Sequence, residues 1–376
     1  MTSKIWIKAS LFCFLLPVLW LISCKPTPPS EAANELFAEK GIDSTQAALI
    51  FNKTDYFPNR TQVSIAILTD SGTVFLGVIS RNDTILSVHN QDVHFEIGSI
   101  TKVMTATLLA DFVVRDKLKL TDSISTHLPV VMKDSTEITF EQLANNTSGL
   151  PNVPTGMLLT SLLSMRNPYK NFDEKTLAAY LENDLSLSNP PGKSYSDSNL
   201  GFGLLGYTLS KVDEKSIDDL LEERIFKKYK MSATTTHRED IKNTLVPGLN
   251  KDGKHTSNWD MAALGGAGAA LSTAEDLAKF AKAHCDTADK VLALTRNPTF
   301  NQDDKTEIGL AWRITRSENG NMLYSQRGST GGYTSCMIID PNNCRAVVVL
   351  SNVSGSNAYS GNLEELCFGL MKSVER

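Results

Sequence analysis

The chain has 376 residues, a formal net charge of −5 with both signs interspersed, and 41% hydrophobic residues. That is the composition of a globular protein with a real core, and it argues against nucleic acid as a partner. Six scattered histidines without a Cys-x-x-Cys motif argue against a metal site, so neither metal nor other cofactor is expected.

The first 23 residues read as a signal segment. Lys4 and Lys8 precede an apolar run from Leu11 to Ile22, which is short for a membrane span and interrupted by Pro17. The run closes on Leu21-Ile22-Ser23-Cys24, which resembles a bacterial lipobox. Cleavage before Cys24 would leave that cysteine to carry a lipid. A plain signal peptide or an uncleaved anchor helix is the alternative. Residues 24–42 then form a tether and N-terminal segment, stiffened by Pro26, Pro28 and Pro29, and residues 43–376 the folded domain. With Cys13 and Cys24 set aside, Cys285, Cys336, Cys344 and Cys367 are too few for a disulfide framework. They leave room for one bridge, its pairing open.

Thr61–Leu68 and Thr73–Ser80 are β-rich runs joined by Asp70-Ser71-Gly72, a hairpin signal. Ser99 to Arg115 reads as a buried helix with a largely apolar body. It opens on Ser99-Ile100-Thr101-Lys102, and no other serine in the chain has a lysine three residues on. Residues i and i+3 of a helix share a face, so hydroxyl and amine can meet in one site. A serine is a poor nucleophile until a neighbour takes its proton, which a desolvated lysine can do. Backbone N–H groups at the helix start favour developing negative charge. The plainer reading is a capping serine and a solvated lysine.

From Phe140 to about Leu249 strand signals nearly vanish, within a helical lobe of about residues 120–260. Helical segments at Phe140–Asn145, Lys175–Leu185, Leu200–Val212 and Ile217–Lys230 are broken by Pro- and Gly-rich loops. One loop, Pro190 to Asn199, carries Tyr195 and Asp197. A tyrosine near an ammonium can have a lowered pKa and work as base or acid; the alternative is a loop-anchoring phenol. Ser272–His284 reads as a helix with Ser272 as N-cap and Glu275 completing a capping box. Strands return at Met322–Gln326, Tyr333–Asp340 and Cys344–Ser351, and a helix from Asn362 to Val374 closes the chain. The Gly-dense stretch Gln326-Arg327-Gly328-Ser329-Thr330-Gly331-Gly332-Tyr333 joins two of these strands and lets backbone approach a ligand. Strands at both ends with helices between imply an α+β fold: an antiparallel sheet flanked by helices, with an inserted, mainly helical lobe. The junction of the two lobes is the natural place for a ligand.

With Ser-x-x-Lys, Tyr-Ser-Asp and the Gln-Arg-Gly element in that order, the chain resembles the serine hydrolases that include class C β-lactamases, D-alanyl-D-alanine carboxypeptidases and related esterases. Asn146-Thr147-Ser148-Gly149-Leu150-Pro151 and the Gly/Ala run from Gly265 to Leu277 support the likeness, which covers almost all of the mature chain. The resemblance implies Ser99 as acylated nucleophile, Lys102 as its proton partner and Tyr195 as the second acid/base group. Asp197, where the family usually has Asn, would bond the substrate amide or Lys102. Backbone N–H groups of Ser99 and Ser329, beside Gly328, would hold the oxyanion. Gln326 stands where the family has Lys or His and cannot attract a substrate carboxylate by charge. Arg327 and Arg313 are candidate substitutes, although strand neighbours such as Gln326 and Arg327 point to opposite faces. An Asp at 197 would tend to keep Lys102 protonated. The implied activity is hydrolysis of a peptide, ester or β-lactam bond by a lipid-anchored envelope monomer. The alternative is a catalytically weak penicillin-binding-like protein that binds cell-wall peptides or a partner.

Overall fold

The computed structural model describes residues 41–154, 157 and 167–375. The expected signal segment, Cys24 and the tether up to residue 40 lie outside the described residues. Helix α1 (Ser44–Thr54) starts at a capping box in which Asp43 and Gln46 each bond the other's backbone. The hairpin follows as β1 (Gln62–Thr69) and β2 (Gly72–Arg81), extended by β3 (Thr84–Ser87). The late part of the chain supplies β6 (Phe300–Asp303), β7 (Thr306–Ile308), β8 (Arg313–Arg316), β9 (Met322–Ser329), β10 (Thr334–Asp340) and β11 (Arg345–Ser351).

These join into one nine-stranded antiparallel sheet in the order β3-β2-β1-β11-β10-β9-β8-β7-β6. The seam is β1 against β11, with Ile65 opposite Val349, so the two ends of the chain close the sheet. The expected antiparallel sheet built from sequence-distant parts is therefore present. Helix α1 and the closing helix Gly361–Val374 cover one face, packing Ile50, Leu363, Leu366 and Leu370 on Ile65, Ile338 and Val349. Against the other face lies helix α2 (Ile100–Val114), followed by the helical block. Between residues 120 and 260 the described residues hold isolated bridges and no strand of the sheet.

Helix α2 is buried from Ile100 to Phe112, all round rather than along a stripe. Each fully buried Leu, Val, Ile or Phe stabilises by roughly 1.5–3 kcal/mol, so this helix is fixed by packing on every side. Its N-terminus is set by a small second sheet, β4 (Phe95–Glu96) with β5 (Leu271–Ser272). Thr101 and Thr105 hydroxyls tie its first turns to Ala270 N and Gly266 O.

Three details depart from the sequence expectation, and one open question closes. Ser272 lies in β5 and bonds Thr234; Thr273 caps the next helix, accepting from Asp276 N, and that helix runs Ala274–Ala283. The segment from Ile217 is helical to Leu221 and then widens into a π-turn over Glu222–Phe226. Strand β9 continues through Gln326-Arg327-Gly328-Ser329, so the turn is only Thr330–Tyr333. The open disulfide question resolves as Cys285–Cys344, joining the end of the Ala274–Ala283 helix to the β10–β11 turn, with Cys336 and Cys367 buried and unbridged.

Candidate active site

Three sequence-distant pieces meet beside Ser99. The chain enters α2 through Gly98, at φ 49°, a conformation that favours glycine. A side chain there would strike Ser329 N at 2.8 Å. From the opposite side Gly328 leaves no room for a Cβ, which would stand 2.1 Å from Ile97 O and 2.9 Å from Ser99 N. Two glycines thus let the β9 backbone press on the start of α2. Ser335 secures the contact by donating its hydroxyl to Ile97 O at 2.8 Å. Ser99 is half-buried, and its side chain makes no capping bond to its own helix, which leaves the hydroxyl facing the cleft.

One turn on, Lys102 is fully buried. Its Nζ donates to Asp197 Oδ1 at 2.6 Å and lies 5.5 Å from the Phe202 ring centroid. Among the described residues no hydrogen bond joins Ser99 Oγ to this amine. Burial pushes the Lys102 amine below the usual lysine range, and the Asp197 charge offsets that only in part. Asp197 itself favours the cation, but loss of water is the larger influence on the amine.

Tyr195 and Asp197 arrive on a loop held by Asn146. Asn146 adopts φ 59°, which its short side chain tolerates. Its carbonyl accepts from Ser196 N at 2.8 Å, its Oδ1 from Ser198 N at 3.1 Å, and its Nδ2 donates to Asp197 Oδ1 at 3.3 Å. Sequence reasoning quoted this asparagine without giving it a function; an Asn-Asn pair ahead of Ser-Gly was the available signal. The loop then caps the Asn199–Asp213 helix through Ser198, which accepts from Gly201 N.

The Tyr195 phenol is not lowered as expected. Burial first, and the Asp197 charge second, push it up, while Arg313 and the Asn146 side chain pull weakly the other way. It is a neutral O–H donor near pH 7.

Gln326 points into the site and donates from Nε2 to Ser99 O at 3.3 Å. Arg327 pairs with Glu364 of the closing helix at 3.2 Å, and the two together border the cleft. Its charge is thus already engaged by a carboxylate. Arg313, opposite Ser325 where β8 meets β9, does line the cleft and has no ion pair among the described residues. Ser99, Tyr195, Asp197, Arg313, Gln326, Gly328 and Ser329 thus line one cleft of about 330 Å³.

A family model described as Beta-lactamase matches residues 56–366, which takes in every element of this cleft. The chain belongs to the Beta-lactamase family. Membership assigns it to the serine hydrolases by class, while the bond it acts on does not follow from it. AmpH of Escherichia coli K12, a D-alanyl-D-alanine-carboxypeptidase/endopeptidase, is 26% identical over 68% of this chain and 70% of its own length. Protein flp of Staphylococcus aureus MW2 is 22% identical over 69% of this chain. The match spans 53% of flp, about half of that relative. Among solved structures, a β-lactamase/D-alanine carboxypeptidase from Pseudomonas syringae superposes with a TM-score of 0.72 at 20% identity, covering 88% of this chain and 98% of the other. A penicillin-binding protein homologue from Pyrococcus abyssi gives 0.74 at 21% identity over 88% and 77% of the two chains. Both likenesses show the fold.

Proposed function

We propose that this protein hydrolyses an amide, ester or β-lactam bond through an acyl-enzyme on Ser99. One observation carries the reading: an uncapped serine hydroxyl opens into a cleft one turn before a fully buried lysine whose pKa burial depresses. The Ser99 proton passes to Lys102 as Oγ attacks the carbonyl carbon. N–H groups of Ser99 and Ser329, brought together by Gly98 and Gly328, receive the oxyanion. Tyr195, a neutral phenol, delivers the proton that the leaving group needs and regains one from the Lys102 ammonium, which returns to the neutral amine. Asp197 holds the Lys102 amine, and Gln326 steadies the Ser99 carbonyl. The likeness to AmpH, a D-alanyl-D-alanine-carboxypeptidase/endopeptidase, favours a D-alanyl peptide as the amide substrate. We place the protein at the cell envelope as a monomer, anchored by a lipid on Cys24. Treatment with a fluorophosphonate or a penicillin should add the probe mass to Ser99, and no adduct on the wild type would overturn the reading.

A second reading is supported by the neutral Gln326 and the engaged Arg327. The fold then binds cell-wall peptides or a partner with little turnover. Ligand binding that survives Ser99→Ala, without turnover by the wild type, would favour it.

A further inference from the structure

Asp197 has one oxygen in use and one to spare. Oδ1 accepts from Lys102 Nζ at 2.6 Å and from the Asn146 amide at 3.3 Å. Oδ2 takes no hydrogen bond from the described residues, and the side chain is 48% exposed, in the cleft that Ser99 lines. A carboxylate anchored through one oxygen, with the other turned to solvent beside a nucleophilic serine, has the arrangement of a water-activating base. An amide at this position would have no basic oxygen to offer.

Resting on the acyl-enzyme reading above, we propose that Asp197 is the general base for deacylation, taking a proton from the water that attacks the Ser99 ester. The water oxygen bonds to the acyl carbon while its proton goes to Asp197 Oδ2. As the carbon–Oγ bond breaks, Ser99 Oγ takes a proton from Lys102 Nζ while the Asp197 acid gives its proton to the same nitrogen. Lys102 ends neutral and Asp197 ionised, so acyl-enzyme plus water gives the free acid and the resting enzyme. The charged and titratable groups facing Asp197 are Lys102 from α2, Tyr195 on its own loop, Tyr169, and Arg313 across the cleft. Lys102 is the one in direct contact, and it is the group that closes the proton circuit.

The test separates acylation from deacylation in full-length protein, with a p-nitrophenyl ester followed by stopped flow and intact mass. Wild type should give a burst and then turn over. Asp197→Asn keeps an oxygen that can accept from Lys102, so it should still acylate and show a burst, at a rate reduced less than deacylation. Its deacylation should slow by about 10²-fold or more, trapping the acyl mass on Ser99. Asp197→Glu should recover part of the turnover. In wild type, deacylation should slow about 2-fold in D2O, as expected when a base takes the proton of the attacking water. Deacylation of Asp197→Asn at the wild-type rate, or loss of burst and turnover together in a folded variant, overturns the proposal. A wild-type deacylation rate unchanged in D2O does so even if the variant fails to fold. Absence of any Ser99 adduct on wild type overturns instead the reading on which it rests.

Discussion

The two faces of β9 differ more than any two neighbouring stretches of the sequence would suggest. On one, Gln326 and Gly328 press against Ser99 and its helix. On the other, Arg327 stands opposite Cys336 and is bound by Glu364 of the closing helix. One residue of register separates a group that meets the nucleophile from a group that helps dock an outer helix. The lesson is that a cation next door in sequence does not simply stand in for a missing one, because strand parity hands it to Glu364 of the outer helix.

The strongest way to break this contrast is Gly328→Ala. Its Cβ would meet Ile97 O at 2.1 Å and Ser99 N at 2.9 Å, both backbone atoms that cannot turn aside. Either β9 or the start of α2 must shift, and the paired N–H donors move with it. A loss of about 10²- to 10³-fold in the acylation rate is expected. Stopped-flow acylation by an ester, run beside a thermal melt, would separate lost catalysis from lost fold. An acylation rate within a few-fold of wild type would mean that the close backbone approach is not what serves the site.

His284 sharpens the contrast differently, since it belongs to the same core as the Gln326 face but stands outside the cleft. It packs edge-on against Phe280 and Trp312, and its Nδ1 accepts from Arg296 at 3.0 Å. Burial, and then the Arg296 cation, push its pKa well below 6.5. The unfolded chain therefore takes up a proton near pH 6.5 that the folded chain refuses, so stability falls as pH drops below that value. The slope reaches about 1.4 kcal/mol per pH unit from this group alone. Urea midpoints between pH 7 and pH 5 should fall steeply in wild type and less in His284→Gln. Equal slopes would remove His284 from the account.

Gln326→Lys puts a cation on the cleft face of β9. It should lower KM about 10-fold for a substrate that bears a carboxylate, a gain of about 1.4 kcal/mol, and change little for a neutral ester. Paired kinetics on the two esters supply the check. An equal change for both would mean that Gln326 acts through the Ser99 carbonyl and not through the substrate.

Much of this was legible in residues with a single physical reading. Ser99 and Lys102 share a face by helical spacing, and the apolar run behind them could only be a buried helix. The β1–β2 hairpin and the β10–β11 pair showed in β-branched runs closed by turn residues. What stayed hidden was set by distant partners. Strands β6 to β8 are three or four residues long and mixed in polarity, so pairing with β9, not propensity, makes them strands. The Tyr195 pKa depended on its burial and on Asp197, neither of which spacing reveals. Asn146 mattered through a left-handed backbone that its sequence context only hinted at. Ser272 lost its capping place because β4 claimed its backbone first.

Arg327→Gln is the smallest change and the most direct test of strand parity. Arg327 and Glu364 are 40% and 44% exposed, so water screens their attraction and the pair contributes between nothing and about 1 kcal/mol. The variant should therefore melt within a few degrees of wild type. Its turnover should match on neutral and carboxylate-bearing esters alike, since the guanidinium faces the closing helix. Glu364→Gln should reproduce the small stability loss, and the double variant should add nothing further, as expected of one shared contact. A selective rise in KM for the carboxylate-bearing ester would contradict this. It would mean that Arg327 leaves Glu364 when substrate arrives and swings around the strand edge, so that parity orders the resting site but does not bind the working one.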